Sequence, residues 1–136
     1  MPAAPLPPEL QRFVAAPRRA VVGTVRDDRT PVTTACWYGV DDRGRLVLSM
    51  SHDSHRLRHL RANPSVALTI LGEDWYHHVS VLGTAVEFRS DDELADIDAL
   101  SQRYEGVPYE DREYRGVTVS VEVERWHTWG DPASEA

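Results

Sequence analysis

The chain is expected to adopt an α+β fold in which six antiparallel strands close as a barrel flanked by two to three short helices. Three observations lead there. Strand-type runs follow one another through tight polar turns, no strand–helix–strand rhythm recurs, and only a few short segments carry a helical period. Closing such a sheet removes its edges. At 136 residues the chain makes one core and not two. That single domain is placed at residues 9–130, after a proline-rich arm at 1–8 and before a tail at 131–136.

Taken in order, Pro8 to Ala16 offers a short helix with Leu10, Phe13 and Val14 on one face, ended by Pro17. Arg19 to Arg26 is β-rich, Asp27-Asp28-Arg29-Thr30 turns, and Pro31 to Val40 is a second strand of β-branched and aromatic residues. Asp41-Asp42-Arg43-Gly44 turns again into the strand Leu46 to Met50. Val66 to Leu71 is a fourth, buried strand, and Gly72-Glu73-Asp74 breaks it. Trp75 to Arg89 reads as a long fifth strand with Gly83 at a bulge or kink. Ser90 and Glu93 stand at capping-box spacing, which predicts a helix through Leu94, Ile97, Leu100 and Tyr104, closed by Gly106. The last strand, Val117 to Glu124, alternates four inward valines with outward Thr118, Ser120, Glu122 and Glu124.

Composition narrows the partners. A net charge of −7 argues against nucleic acid or an anionic membrane, both of which select clustered basic residues. No apolar stretch reaches the length of a membrane span, and no leader-like segment opens the chain, so a cytoplasmic protein is expected. The one cysteine, Cys36, argues against an intramolecular disulfide and any Cys-based zinc site, and its apolar strand predicts a buried, inert thiol.

The chemistry is concentrated in Ser49-Met50-Ser51-His52-Asp53-Ser54-His55-Arg56, where an apolar strand ends and a short basic helix begins. Ser54 is the expected cap, and unpaired N–H groups and a positive dipole attract an anion to such a helix start. Arg56 adds a guanidinium fork. Leu57 and Leu60 face the core, and Asn63-Pro64 ends the helix. The same residues also suit an ordinary solvated helix.

The run Ser54-His55-Arg56-x-x-x-Leu60-x-x-Asn63-Pro64-x-Val66 resembles the cofactor-phosphate segment of the split-barrel oxidoreductases related to pyridoxamine 5′-phosphate oxidase, and the resemblance extends across most of the chain. That family's segment reads Ser-Arg-Lys-x-x-x-Leu-x-x-Asn-Pro, so Arg56 stands in the lysine's place and His55 in the arginine's. The resemblance implies a homodimer with the cofactor between protomers. It also implies cofactor contacts from Thr33, Thr34 and Ala35 on the second strand and from Ser49, Met50, Ser51, Ser54, His55, Arg56 and His59 at the cradle. The compact length, the Pro31-to-Trp37 strand and the closing run from Val121 through Arg125 to Trp129 resemble the short deazaflavin branch, which implies F420 as cofactor, with FMN as the alternative.

The implied activity is hydride transfer between F420 and a small unsaturated substrate, the protein supplying position and exclusion of water. Trp37, Trp75 and Tyr76 are the expected walls of the substrate pocket, and Tyr76 or His78 is the side chain that would deliver a proton. His55 and His59 share a helical face, but no HExxH motif or further ligand accompanies them, so no metal is expected. No hydrolytic constellation is present, and the paired acids fall at turns. Three alternatives stay open: an FMN-dependent oxidoreductase of the same fold, a non-catalytic binder of a flavin or tetrapyrrole, and a purely structural dimeric module.

Overall fold

The computed structural model describes Met1 and residues 5–131, so residues 2–4 of the expected arm and 132–136 of the expected tail lie outside it. Three helices and seven strands follow the chain as α1 (Pro8–Ala15), β1 (Ala20–Val25), β2 (Pro31–Cys36), β3 (Gly39–Val40), β4 (Leu46–Ser51), α2 (His55–Ala62), β5 (Ser65–Leu71), β6 (His78–Ser90), α3 (Ala95–Glu105) and β7 (Gly116–Trp129). All pair antiparallel in one sheet of order β2-β1-β5-β6-β7-β4-β3.

The sheet has seven strands, one more than expected, because the run from Pro31 to Val40 breaks at Trp37-Tyr38. Tyr38 is fully buried, and its hydroxyl reaches the carbonyls of Val14 at 2.8 Å and Ala16 at 2.9 Å. That tie pulls the chain out of the ladder and onto the C-terminal end of α1, where the Arg103 guanidinium also donates to the carbonyls of Val14, Ala15 and Ala16. The sheet is also not closed, because β2 and β3, consecutive in sequence, are its two edges. The resulting split between β2 and β4 is spanned by α2, which packs on both β1 and β4 and sends Leu57 and Leu60 into the core. Each of those side chains contributes about 1.5–3 kcal/mol by leaving water.

Two further expectations are corrected. Ser90 belongs to β6, paired with Val117, so it caps nothing. The α3 start is held instead by buried Asp91, whose carboxylate accepts from the Asp96 and Ile97 N–H groups at 3.0 and 2.9 Å. On β7, Thr118 and Ser120 are buried rather than outward, and the Thr118 hydroxyl donates to Asp96 of α3 at 2.6 Å. The Gly83 bulge is as expected: the register shifts there, and a Cβ would stand 2.3 Å from the Glu122 carbonyl. Trp75 and Tyr76 form a turn ahead of β6 rather than its first residues. No helix among the described residues is long and apolar enough to cross a membrane.

Candidate functional site

The split holds a pocket of about 460 Å³. Its walls come from both sides of the opening: Ala35, Cys36 and Trp37 from β2 and the residue after it, Ser49 and Ser51 from β4, and Arg56 from α2. Ile97 and Leu100 of α3 form the floor, and Tyr109 and Tyr114 of the loop 106–115 complete the rim.

Each polar group has a defined setting. Ser54 caps α2 as expected, its Oγ accepting from the Leu57 N–H at 3.2 Å. That places Arg56 within the first turn, half-buried, where its guanidinium makes no hydrogen bond or ion pair to any described residue. A half-buried guanidinium without a partner among the described residues, on a pocket wall, has the donors and the charge to take an anion. Ser49 Oγ lies 2.9 Å from the Tyr114 hydroxyl. Ser51 Oγ donates to Asp53 at 2.7 Å, so that proton is committed to a carboxylate. Burial pushes the Cys36 thiol up to about 11 against the pull of Arg56. Burial also raises the Tyr114 phenol, with the Ser49 hydrogen bond and Arg56 acting the other way.

The remaining expected residues are dispersed. Met50 is fully buried in the core and lines none of the described pockets. His55 and His59 line a separate hollow of about 740 Å³ with Arg26, Asp27, Asp28 and Arg58. There His55 Nδ1 contacts the Arg58 guanidinium, and His59 Nδ1 lies 3.0 Å from the buried Thr24 hydroxyl. Thr33 opens onto a third hollow on the outer sheet face, while Thr34, on the opposite face of β2, lines none of the described pockets. Among the described residues no three His, Cys, Asp or Glu side chains gather as a metal site.

Of the expected substrate walls, Trp37 is in the pocket, stacked on Tyr104 at 5.4 Å and edge-on to Tyr109 at 6.2 Å. Trp75, Tyr76 and His78 are not. Trp75 and Tyr76 are 80% and 69% exposed on their turn, and His78 stacks on Trp129. Ser49 pairs with Thr118, which pairs with Arg89, whereas His78 lies at the other end of β6, roughly 35 Å of strand away. Tyr109 and Tyr114 escaped the sequence reading. The available signal was two tyrosines inside an otherwise charged loop, Tyr109-Glu110-Asp111-Arg112-Glu113-Tyr114.

Comparison with known proteins agrees with this architecture. A family model described as pyridoxamine 5′-phosphate oxidase matches residues 6–130. A solved structure named F420 reductase is 25% identical with a TM-score of 0.80, covering 90% of this chain and 98% of its own. The conserved hypothetical protein Rv2991 of Mycobacterium tuberculosis is 25% identical with a TM-score of 0.73, over 98% and 90%. General Stress Protein 26 of Bacillus anthracis, 19% identical with a TM-score of 0.67 over 89% and 91%, shows the same fold. No curated protein matches the chain.

Proposed function

Because the chain belongs to the pyridoxamine 5′-phosphate oxidase family, we propose that it is an oxidoreductase working through a bound flavin-type cofactor, and that this cofactor is the deazaflavin F420. The observation that carries the reading is the single unpartnered cation, Arg56, on the wall of the split pocket. The phosphate of F420 is a diester with one negative charge, whereas the terminal monoester of FMN carries close to two at neutral pH. His55, in the place of the family's second cation, is turned to the neighbouring hollow, and Asp53 sits on Ser51. One cation suits one charge. FMN is the second reading, favoured by the same cradle, which meets a phosphate whichever ring follows it.

When bound, the deazaflavin supplies hydride transfer to a small unsaturated substrate. The chain's own residues do the rest. Arg56 and Ser49 bind the phosphate, Ala35 of β2 borders the cofactor in the split, and Trp37 with Ile97 and Leu100 excludes water. Tyr76 and His78, the expected proton donors, do not border the Arg56 pocket of their own protomer. The functional unit is a pair of protomers, in line with the homodimer that the sequence resemblance implies.

The test is a fluorescence titration of the protein with F420 and FMN in parallel, repeated with Arg56→Ala. Tighter binding of F420, weakened about tenfold to a hundredfold in the variant, is expected, because hydrogen bonds to charged groups contribute about 1.5–3 kcal/mol. Tighter binding of FMN transfers the proposal to the flavin. Binding indifferent to Arg56→Ala overturns the cradle.

A further inference from the structure

The geometry points to Tyr114 as a second ligand-binding group of the Arg56 pocket, paired with Ser49 to donate one hydrogen bond to the anion that Arg56 neutralises. This inference rests on the proposed phosphate cradle and adds to it a residue of the loop 106–115.

Proton counting carries the argument. The hydroxyls of Ser49 and Tyr114 lie 2.9 Å apart and hold one proton each. Their mutual bond uses one, whichever group donates. One proton is left over, and both oxygens lie on the wall that holds Arg56. With Ser51 committed to Asp53, this pair and the Tyr109 phenol are the hydroxyl donors on the pocket walls, and this pair is the one that includes the β4 serine. Burial keeps the phenol protonated through the neutral range, so it remains a donor there.

The loop is built to hold that ring in place. The Arg112 guanidinium donates to both carboxylate oxygens of Asp98 on α3, at 2.7 and 3.2 Å, and the Tyr109 N–H donates to the same carboxylate at 2.8 Å. Tyr109 packs edge-on against Tyr114 at 5.2 Å. Beneath the phenol, residue 116 has no side chain: a Cβ there would come within 2.5 Å of the Tyr114 ring and 3.2 Å of Ser49 Oγ. The bare backbone at Gly116 thus lets ring and hydroxyl meet. A tyrosine needed only for packing would not require its hydroxyl to be aimed at a pocket serine beside a cation.

The experiment compares ligands with and without the phosphate. Affinities for F420, FMN, riboflavin and the phosphate-free deazaflavin are measured on the wild-type protein, Tyr114→Phe, Gly116→Ala and Arg56→Ala, with thermal unfolding checked for each. Tyr114→Phe should weaken F420 and FMN about tenfold while leaving the phosphate-free ligands unchanged, and Gly116→Ala should reproduce that selective loss by displacing the ring. A purely structural tyrosine would weaken all four ligands together, which overturns the inference. If Arg56→Ala loses the phosphate-bearing ligands and Tyr114→Phe does not, the cradle stands and Tyr114 is excluded from it. If the wild-type protein prefers neither phosphate-bearing ligand over its phosphate-free counterpart, the cradle fails and the inference with it.

Discussion

Cys36 faces the same pocket, and its chemistry follows from position. β2 turns its side chain toward the core while leaving it on the pocket wall, so desolvation outweighs the attraction of Arg56 and the thiol titrates at about 11 instead of 9.0. Thiolate is the nucleophile, so two units upward means about a hundredfold less of it at neutral pH. Iodoacetamide should therefore alkylate Cys36 in the folded protein about a hundredfold more slowly than in the urea-unfolded chain at pH 7.5. The rate should climb until about pH 11. Arg56→Ala should slow it further by removing the one nearby cation, and F420 should protect the thiol by filling the pocket. Labelling at the unfolded rate would contradict this burial. The stability sign follows. The unfolded thiol loses its proton first, so the folded state is undisturbed below about pH 9 and loses stability as the pH rises toward 11.

At the scale of elements, α3 depends on one carboxylate. Asp91 accepts from two N–H groups at the helix start while its own N–H donates to the Gly116 carbonyl, which ties α3 to β7 beside the pocket. Asp91→Ala should lower unfolding stability by about 1–2 kcal/mol, whereas Ser90→Ala should stay within about 0.5 kcal/mol, both read from urea midpoints. Equal losses would restore the Ser90 cap. Asp96 adds a pH dependence. Burial opposes it, but hydrogen bonds from Thr118 and Arg89 hold the carboxyl below 3.8, so its contribution is present above that pH and is lost as acid titrates the folded value. These elements also show what the sequence makes legible. The strands, the Gly83 bulge, the Ser54 cap and Arg56 were readable because alternation, bare backbone, capping and charge are local properties. The break at Trp37-Tyr38 was not, because both residues favour strands and the force that ends β2 is a hydroxyl bound to a helix more than twenty residues earlier. Tyr114 was hidden for the same reason: its partner Ser49 is 65 residues away.

For the molecule as a whole, one sheet face carries no helix among the described residues, and the Met1 carbonyl meets Arg125 at its rim. Across it Thr33, Gly23, Ala67, Leu82 and Arg125 stand in register on β2, β1, β5, β6 and β7, small and mostly uncharged, with Leu82 44% exposed. The hollow they line, of about 570 Å³, has Glu124 and Arg125 as its charged members, one of each sign. A strip of small apolar residues beside one acid and one base can meet its own copy across a twofold axis, which is the requirement of an isologous dimer. A second copy is therefore the occupant that fits the proposed functional unit. Leu82→Glu places a charge at the centre of the strip, and two such charges would oppose each other in a symmetric pair. Sedimentation should find the wild-type protein as a dimer at micromolar concentration and Leu82→Glu as a monomer with a native far-ultraviolet spectrum. F420 binding measured on that folded monomer then separates two arrangements. A loss of affinity comparable to that of Arg56→Ala means the cofactor spans both protomers, and retained affinity means one split holds it alone. A wild-type monomer would remove this face from the functional unit.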